Sequence, residues 1–241
     1  PTKPKFVWCD SEGLGRMVFV LLRRQFELSE TPRRAEICVF ADTRYRLRVN
    51  GAIAAYGPAR FSPTHPEYDT FDLRPYLAVG PNVITIEALS YGAPSFQAAP
   101  SIGGVIAWGG ILAGEARISL ATPGQWKLRR VGALDAESPN FSFAQAPVEI
   151  LDSRLLDPAW FAAGAEDDTW HKPTIIVDQK HWGTLAARSI EMQRMDLMEP
   201  RRIDLVAPVL ADEIRVLGAH VGKRDALMVV AVAFLALGRV R

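Results

Sequence analysis

The sequence predicts an all-β chain folded as an antiparallel β-sandwich or jelly roll. Three observations carry that expectation. Short runs rich in β-branched and aromatic residues recur along most of the chain, polar or proline-containing turns separate them, and helical periodicity is scarce. Strands spaced by turns, without intervening helices, bury their apolar faces by packing sheet on sheet.

The first such runs are residues 17–26 and 35–40. Arg44-Tyr45-Arg46-Leu47-Arg48-Val49 alternates basic with apolar residues, so one face is buried and the three arginines line the other. Asn50-Gly51 supplies a hairpin turn, because both residues tolerate positive φ, and leads into a small apolar strand over 52–56. Residues 72–77 read as a short helical turn, and Val79-Gly80-Pro81-Asn82 as a tight turn that launches a strand over 83–89. Further strands are expected at 104–108, 111–113, 116–121 and 126–131. Gly103-Gly104 and Gly109-Gly110 bracket an apolar segment and suit tight turns or bulges; no Lys-Ser or Lys-Thr follows to make a phosphate loop.

Residues 133–147, rich in Ala, Ser, Pro and Asn, form a long irregular connection. After it, 158–161 opens a helical turn, 174–177 reads as a strand and 189–205 as an extended linker. From Val206 the pattern is again strand-like. The expected division is a sandwich over 1–200, then a linker and the first strands of a second, incomplete β domain over 201–241.

The 28 basic and 27 acidic side chains leave a net charge of +1, which argues against nucleic acid or an anionic membrane as a partner. The longest apolar run, 226–238, is shorter than the roughly 20 residues that cross a bilayer. An apolar strand in that stretch, left without a neighbour, would self-associate or meet a partner. The N-terminus has neither an initiator Met nor the apolar centre of a signal peptide, so the chain reads as a processed piece. Cys9 and Cys38 lack zinc-ribbon spacing and are too few for a disulfide framework, which leaves the compartment open between cytoplasm, periplasm and exterior. Cys38, in Ile37-Cys38-Val39-Phe40, is expected as a small buried apolar residue. The four histidines show no metal-binding pairing, and no Gly-x-Ser-x-Gly occurs. No metal and no cofactor is therefore assigned.

The stretch from Ala41 to Gly51, with Gly57-Pro58-Ala59-Arg60 and Tyr68-Asp69-Thr70-Phe71-Asp72-Leu73 after it, resembles the N-terminal sandwich of bacterial α-L-rhamnosidases, glycoside hydrolase family 78. The run from Leu77 to Ile84 is similar to an element of many galactose-binding-like sandwiches in glycoside hydrolases. Gly124-Gln125-Trp126-Lys127, the segment from Ala165 to Trp170 and the segment from Trp182 to Ile190 add the family's Trp-bearing turns and an Arg-containing linker. The resemblance covers about the first four-fifths of the chain. It implies a galactose-binding-like sandwich cut off before the helical barrel that carries the family's catalytic acid and base. The implied role is an accessory, carbohydrate-associated domain that supports a rhamnoside site, with the downstream catalytic domain as partner. The alternatives are an autonomous carbohydrate-binding module, with a rhamnose-containing glycan as ligand, and a structural interaction module.

No catalytic residue is assigned. Sugar sites need aromatic faces for the C–H side of the ring and planar polar groups for its hydroxyls, and Arg44, Tyr45, Arg60, Tyr68, Asp69 and Trp108 supply that chemistry. The competing role for each aromatic is core packing. Asp42 is expected to cap a turn by accepting backbone N–H bonds, and Asp69 to pair with Arg60 across a loop. Asn50, Gly51, Gly57, Asp72, Trp126 and Trp170 complete the structural motif, and Glu166-Asp167-Asp168 reads as a solvated turn.

Overall fold

The computed structural model describes residues 3–96, 98–142 and 144–192, and the backbone of 214–216 and 219–221. The chain divides into two compact units, one of Pro1–Pro147 with Leu151–Ile190 and the other of Val148–Ile150 with Glu191–Arg241.

The first unit contains β1 (Val7–Trp8), β2 (Val18–Leu28), β3 (Arg34–Asp42), β4 (Arg44–Val49), β5 (Ala52–Gly57) and β6 (Glu67–Asp72). It continues with β7 (Gly80–Ser90), β8 (Gly104–Ala113), β9 (Ala116–Ser119), β10 (Lys127–Val131), β11 (Thr174–Ile175) and β12 (Ala186–Ala187). One sheet runs β10-β2-β7-β4-β5; the other runs β11-β1-β8-β3-β6-β12, with β9 also on β8. Pairing is antiparallel except between β6 and β12. The result is an antiparallel β-sandwich of two facing sheets.

Strand β2 shows why its sequence is apolar without alternation. Val18, Val20 and Leu22 enter the main core, shared with Ile37, Val39 and Phe40 of β3 and with Leu47, Ile84 and Ile86. Phe19 and Leu21 point the other way, into a second core with Leu89, Val131 and Trp170, against which Leu156, Trp160 and Phe161 pack. A strand buried on both faces reads as a continuous apolar run. The irregular connection after β10 is thus the cover of the second face.

The Asn50-Gly51 turn is present, with φ of 49° and 82°, and joins Val49 to its partner Ala52. Several expected boundaries shift: β9 ends at Ser119 and β11 at Ile175, short of the expected 121 and 177, and two further changes have a clear cause. β7 starts at Gly80, because Asn82 closes the turn further upstream: its Nδ2 donates to Ala78 O (2.7 Å) and its Oδ1 accepts from Ala78 N (3.0 Å). Pro81 lies opposite Glu27 and beyond the residues of β7 that β4 pairs, where its missing N–H costs no ladder bond. The expected strands over 104–108 and 111–113 are the single strand β8, continuous through Gly109 at φ 119°. Strands β1, β6 and β12 have no counterpart in the expectation; β1 and β12 are two residues long and β6 is half acidic.

In the second unit, Ile214–Val216 (β13) and Ala219–Val221 (β14) pair antiparallel. The remainder of the expected linker beyond residue 192, and of the strand-like region after Val206, lies outside the described residues.

Candidate functional site

The residues expected to touch sugar fall into three groups. Tyr45 and Asp69 are internal, at 3% and 1% exposure, and Asp69 accepts hydrogen bonds from the Tyr45 hydroxyl and from Arg188 Nε. Burial and the Asp69 carboxylate push the Tyr45 hydroxyl well above its usual pKa. The expected partner of Asp69, Arg60, is replaced by Arg188, because parallel pairing of β12 with β6 brings the residue after Ala187 beside Tyr68 and Asp69. Tyr45 and Asp69 therefore lock the sandwich and present no face to a ligand. Gly57 is part of the same lock: a Cβ there would lie 2.6 Å from the Tyr45 ring and would also strike Asp69.

Tyr68 and Trp108 do meet, edge to face at 4.7 Å, and both are half-buried. They lie on the opposite side of their sheet from the core residues Val39 and Ala107. Arg44 is exposed with its guanidinium 4.7 Å from the Tyr91 ring centre. Arg60 stands apart from all of these, in a cleft described below.

The structural-motif residues are placed as anchors. Asp42, 2% exposed, does not cap a turn with its carboxylate; Oδ2 accepts the indole N–H of Trp182 at 2.9 Å. Burial raises its pKa, opposed by hydrogen bonds from Ser101, Trp182 and Thr43 and by the nearby His181. Asn50 adds to its turn role by donating to Tyr76 O (2.9 Å) and Asn82 Oδ1 (2.8 Å) and accepting from Val83 N (2.9 Å). Asp72 is exposed and grips Arg74 at 2.9 and 2.6 Å, which holds its carboxyl below the usual range. Trp126 is buried with its indole N–H on Leu120 O (2.9 Å), and Trp170 sits edge-on to Trp160 at 6.0 Å.

Two polar assemblies escape sequence reasoning. Arg46 and Arg48 do not line an open face: both bond Glu87, which is 4% exposed. Arg23, 1% exposed, donates to Trp160 O (3.0 Å), Ala162 O (2.8 Å), Ala165 O (3.1 Å) and Asp167 Oδ2 (2.9 Å). Asp167 also receives Lys127 Nζ at 2.5 Å and Gln25 Nε2 at 3.1 Å, so the expected solvated turn is an ion-paired clamp on the sheet. Burial works against the Asp167 anion, but the hydrogen bonds of Lys127 and Gln25 and the charges of Lys127 and Arg23 lower its pKa overall. Arg23 lies in the apolar run of β2, and its long-range partners leave no local signal in sequence.

The loops after β5 and β7 enclose an open cleft of about 570 Å³, lined by Arg60, Phe61, Ser62, His65, Glu67 and Phe96 among others. Among the described residues, Glu67 is the one carboxylate in its lining. Ser189 donates to it from Oγ (2.6 Å) and N (3.3 Å), which lowers its pKa. A glycosidic general acid needs the reverse shift, together with a second carboxylate across the bond. Among the described residues, no group of three or more His, Cys, Asp or Glu side chains is placed to hold a metal ion. No described helix is long and apolar enough to cross a membrane.

The fold is an antiparallel two-sheet β-sandwich with an open cleft between two of its loops. The chain superposes on the GH78 family rhamnosidase of Bacillus sp. GL1 with a TM-score of 0.69 and 26% identity, over 79% of this chain and 20% of that one. The α-L-rhamnosidase from Dictyoglumus thermophilum matches at TM-score 0.59 and 15% identity (76% and 22% of the two chains). That from Aspergillus terreus matches at 0.58 and 16% (76% and 22%). The first unit thus resembles the sandwich region of these rhamnosidases, and the chain spans about a fifth of their length. No family model matches the sequence, and no curated protein matches it.

Proposed function

We propose that this chain is an accessory, non-catalytic β-sandwich of a rhamnoside-hydrolysing protein, and that it supports the substrate site by packing against a catalytic domain encoded elsewhere in that protein. The observation that carries this reading is the unequal coverage: four-fifths of this chain matches one-fifth of a family 78 rhamnosidase. The internal chemistry agrees with it. Asp42, Asp69, Glu87 and Asp167 are all committed to holding segments together. Glu67, in the cleft, has neither the pKa direction nor the second carboxylate for glycoside hydrolysis.

The test compares the parent protein with a form lacking residues 1–190, assayed on a chromogenic α-L-rhamnoside. The accessory role predicts retained but weakened hydrolysis, through a lower melting temperature or a higher KM. Unchanged stability and kinetics after the deletion would overturn it. The reading as a structural interaction module rests on the apolar tail over 227–237, which lies outside the described residues.

A further inference from the structure

Beyond the packing role, the geometry points to the cleft between the β5–β6 and β7–β8 loops as a binding site for a neutral saccharide. At about 570 Å³ it has the size of a small-ligand site. One wall is pre-organised. Ser62 Oγ, Thr64 Oγ1 and His65 Nδ1 form a hydrogen-bonded chain with both links at 2.9 Å. Beneath it Phe61 packs edge-on to Phe40 at 4.8 Å, and Pro63 O accepts from Gly183 N at 2.8 Å. The opposite wall is tied by Ser95 N to Ala98 O (3.0 Å), Ala98 N to Ser95 Oγ (3.0 Å) and Phe96 N to Ala144 O (3.0 Å).

Groups lining the cleft have sugar-binding chemistry. Phe96 is 61% exposed and offers an apolar face for ring C–H groups. Arg60 is exposed and has no hydrogen bond or ion pair among the described residues, so its planar fork of donors is available to hydroxyl oxygens. Glu67 keeps acceptor capacity beyond its Ser189 bonds. Arg60 and Glu67 cancel in charge, which selects hydroxyls over a carboxylate or phosphate. This inference stands on the cleft and is independent of whether the parent hydrolyses rhamnosides.

Saturation-transfer NMR and calorimetry on the whole chain test it, with L-rhamnose, D-galactose, D-glucose, D-mannose and D-glucuronate as probes. At least one neutral sugar is expected to bind, and Arg60→Ala and Phe96→Ala are each expected to weaken it by about tenfold, the loss of one good contact. Arg60 is exposed, so the melting temperature of Arg60→Ala should not move, and Arg154→Ala, on the separate Asp152–Arg154 pair, should bind as the unaltered chain does. Silence from all four neutral sugars, binding of glucuronate alone, or binding indifferent to both cleft substitutions would overturn the assignment.

Discussion

Replacing Arg23 with alanine should destabilise the sandwich by about 3–5 kcal/mol, the range found on breaking a buried ion pair. The structure shows where that comes from. Of the four acceptors, Ala165 O retains Gln25 Nε2 and Asp167 retains Gln25 and Lys127. Trp160 O and Ala162 O lose the only side-chain donor they have among the described residues. A buried carbonyl left without a partner costs about 1–3 kcal/mol, with a smaller loss at Ala162, which is exposed and open to water. Loss of the stem packing beneath Trp170, whose ring lies 6.0 Å from the guanidinium, adds to this. Against a total stability of about 5–15 kcal/mol for an ordinary domain, the effect is large. Urea denaturation followed by tryptophan fluorescence reads it as a lower midpoint at unchanged slope. Arg23→Lys should recover little, since one ammonium cannot span four acceptors held in a fork. A loss below about 1 kcal/mol for Arg23→Ala would refute the view that this side chain fastens the 158–167 segment to the sheet.

Three further outcomes are expected. Arg188→Ala leaves the Asp69 carboxylate buried with Tyr45 alone and should cost about 3–5 kcal/mol, measured by the same denaturation. Gly57→Ala drives a methyl group into Asp69 and Tyr45 and should cost about 1–3 kcal/mol, read as a lower melting temperature. Asp42 and Asp167 should pull the pH dependence of stability in opposite directions. Asp42, with its folded pKa raised by burial, contributes stability that is present below the unfolded pKa and lost as pH rises through the folded one; Asp167, with its pKa lowered, contributes stability present above the unfolded pKa and lost as pH falls through the folded one. Denaturation of Asp42→Asn across the acid range should therefore show the substitution growing more favourable, relative to aspartate, as pH rises.

The sequence discloses the fold through local signals. The alternation in β4, the Asn50-Gly51 turn and the separation of strands by turn residues each depend on near neighbours, and all correspond to elements of the structure. β1 and β12 are illegible because two residues carry no period, and they pair with segments more than 90 residues away. Site residues are less legible for the same reason. Tyr45, Asp69 and the β4 arginines have the composition of a sugar site, but their roles depend on Arg188 and Glu87, at separations of 119 and 39–41 residues. Arg60 stands out from its chemistry, whereas its companions Phe96, His65 and Glu67 become visible only when two loops distant in sequence are brought to one cleft.

The central claim, a rhamnosidase-type sandwich without catalytic machinery of its own, is tested most directly by p-nitrophenol release from p-nitrophenyl α-L-rhamnopyranoside by the purified 241-residue chain. The account predicts a rate equal to that of buffer at every pH at which the chain is folded. Turnover proportional to protein concentration and abolished by Glu67→Gln would contradict it, by making the lone cleft carboxylate a catalytic group.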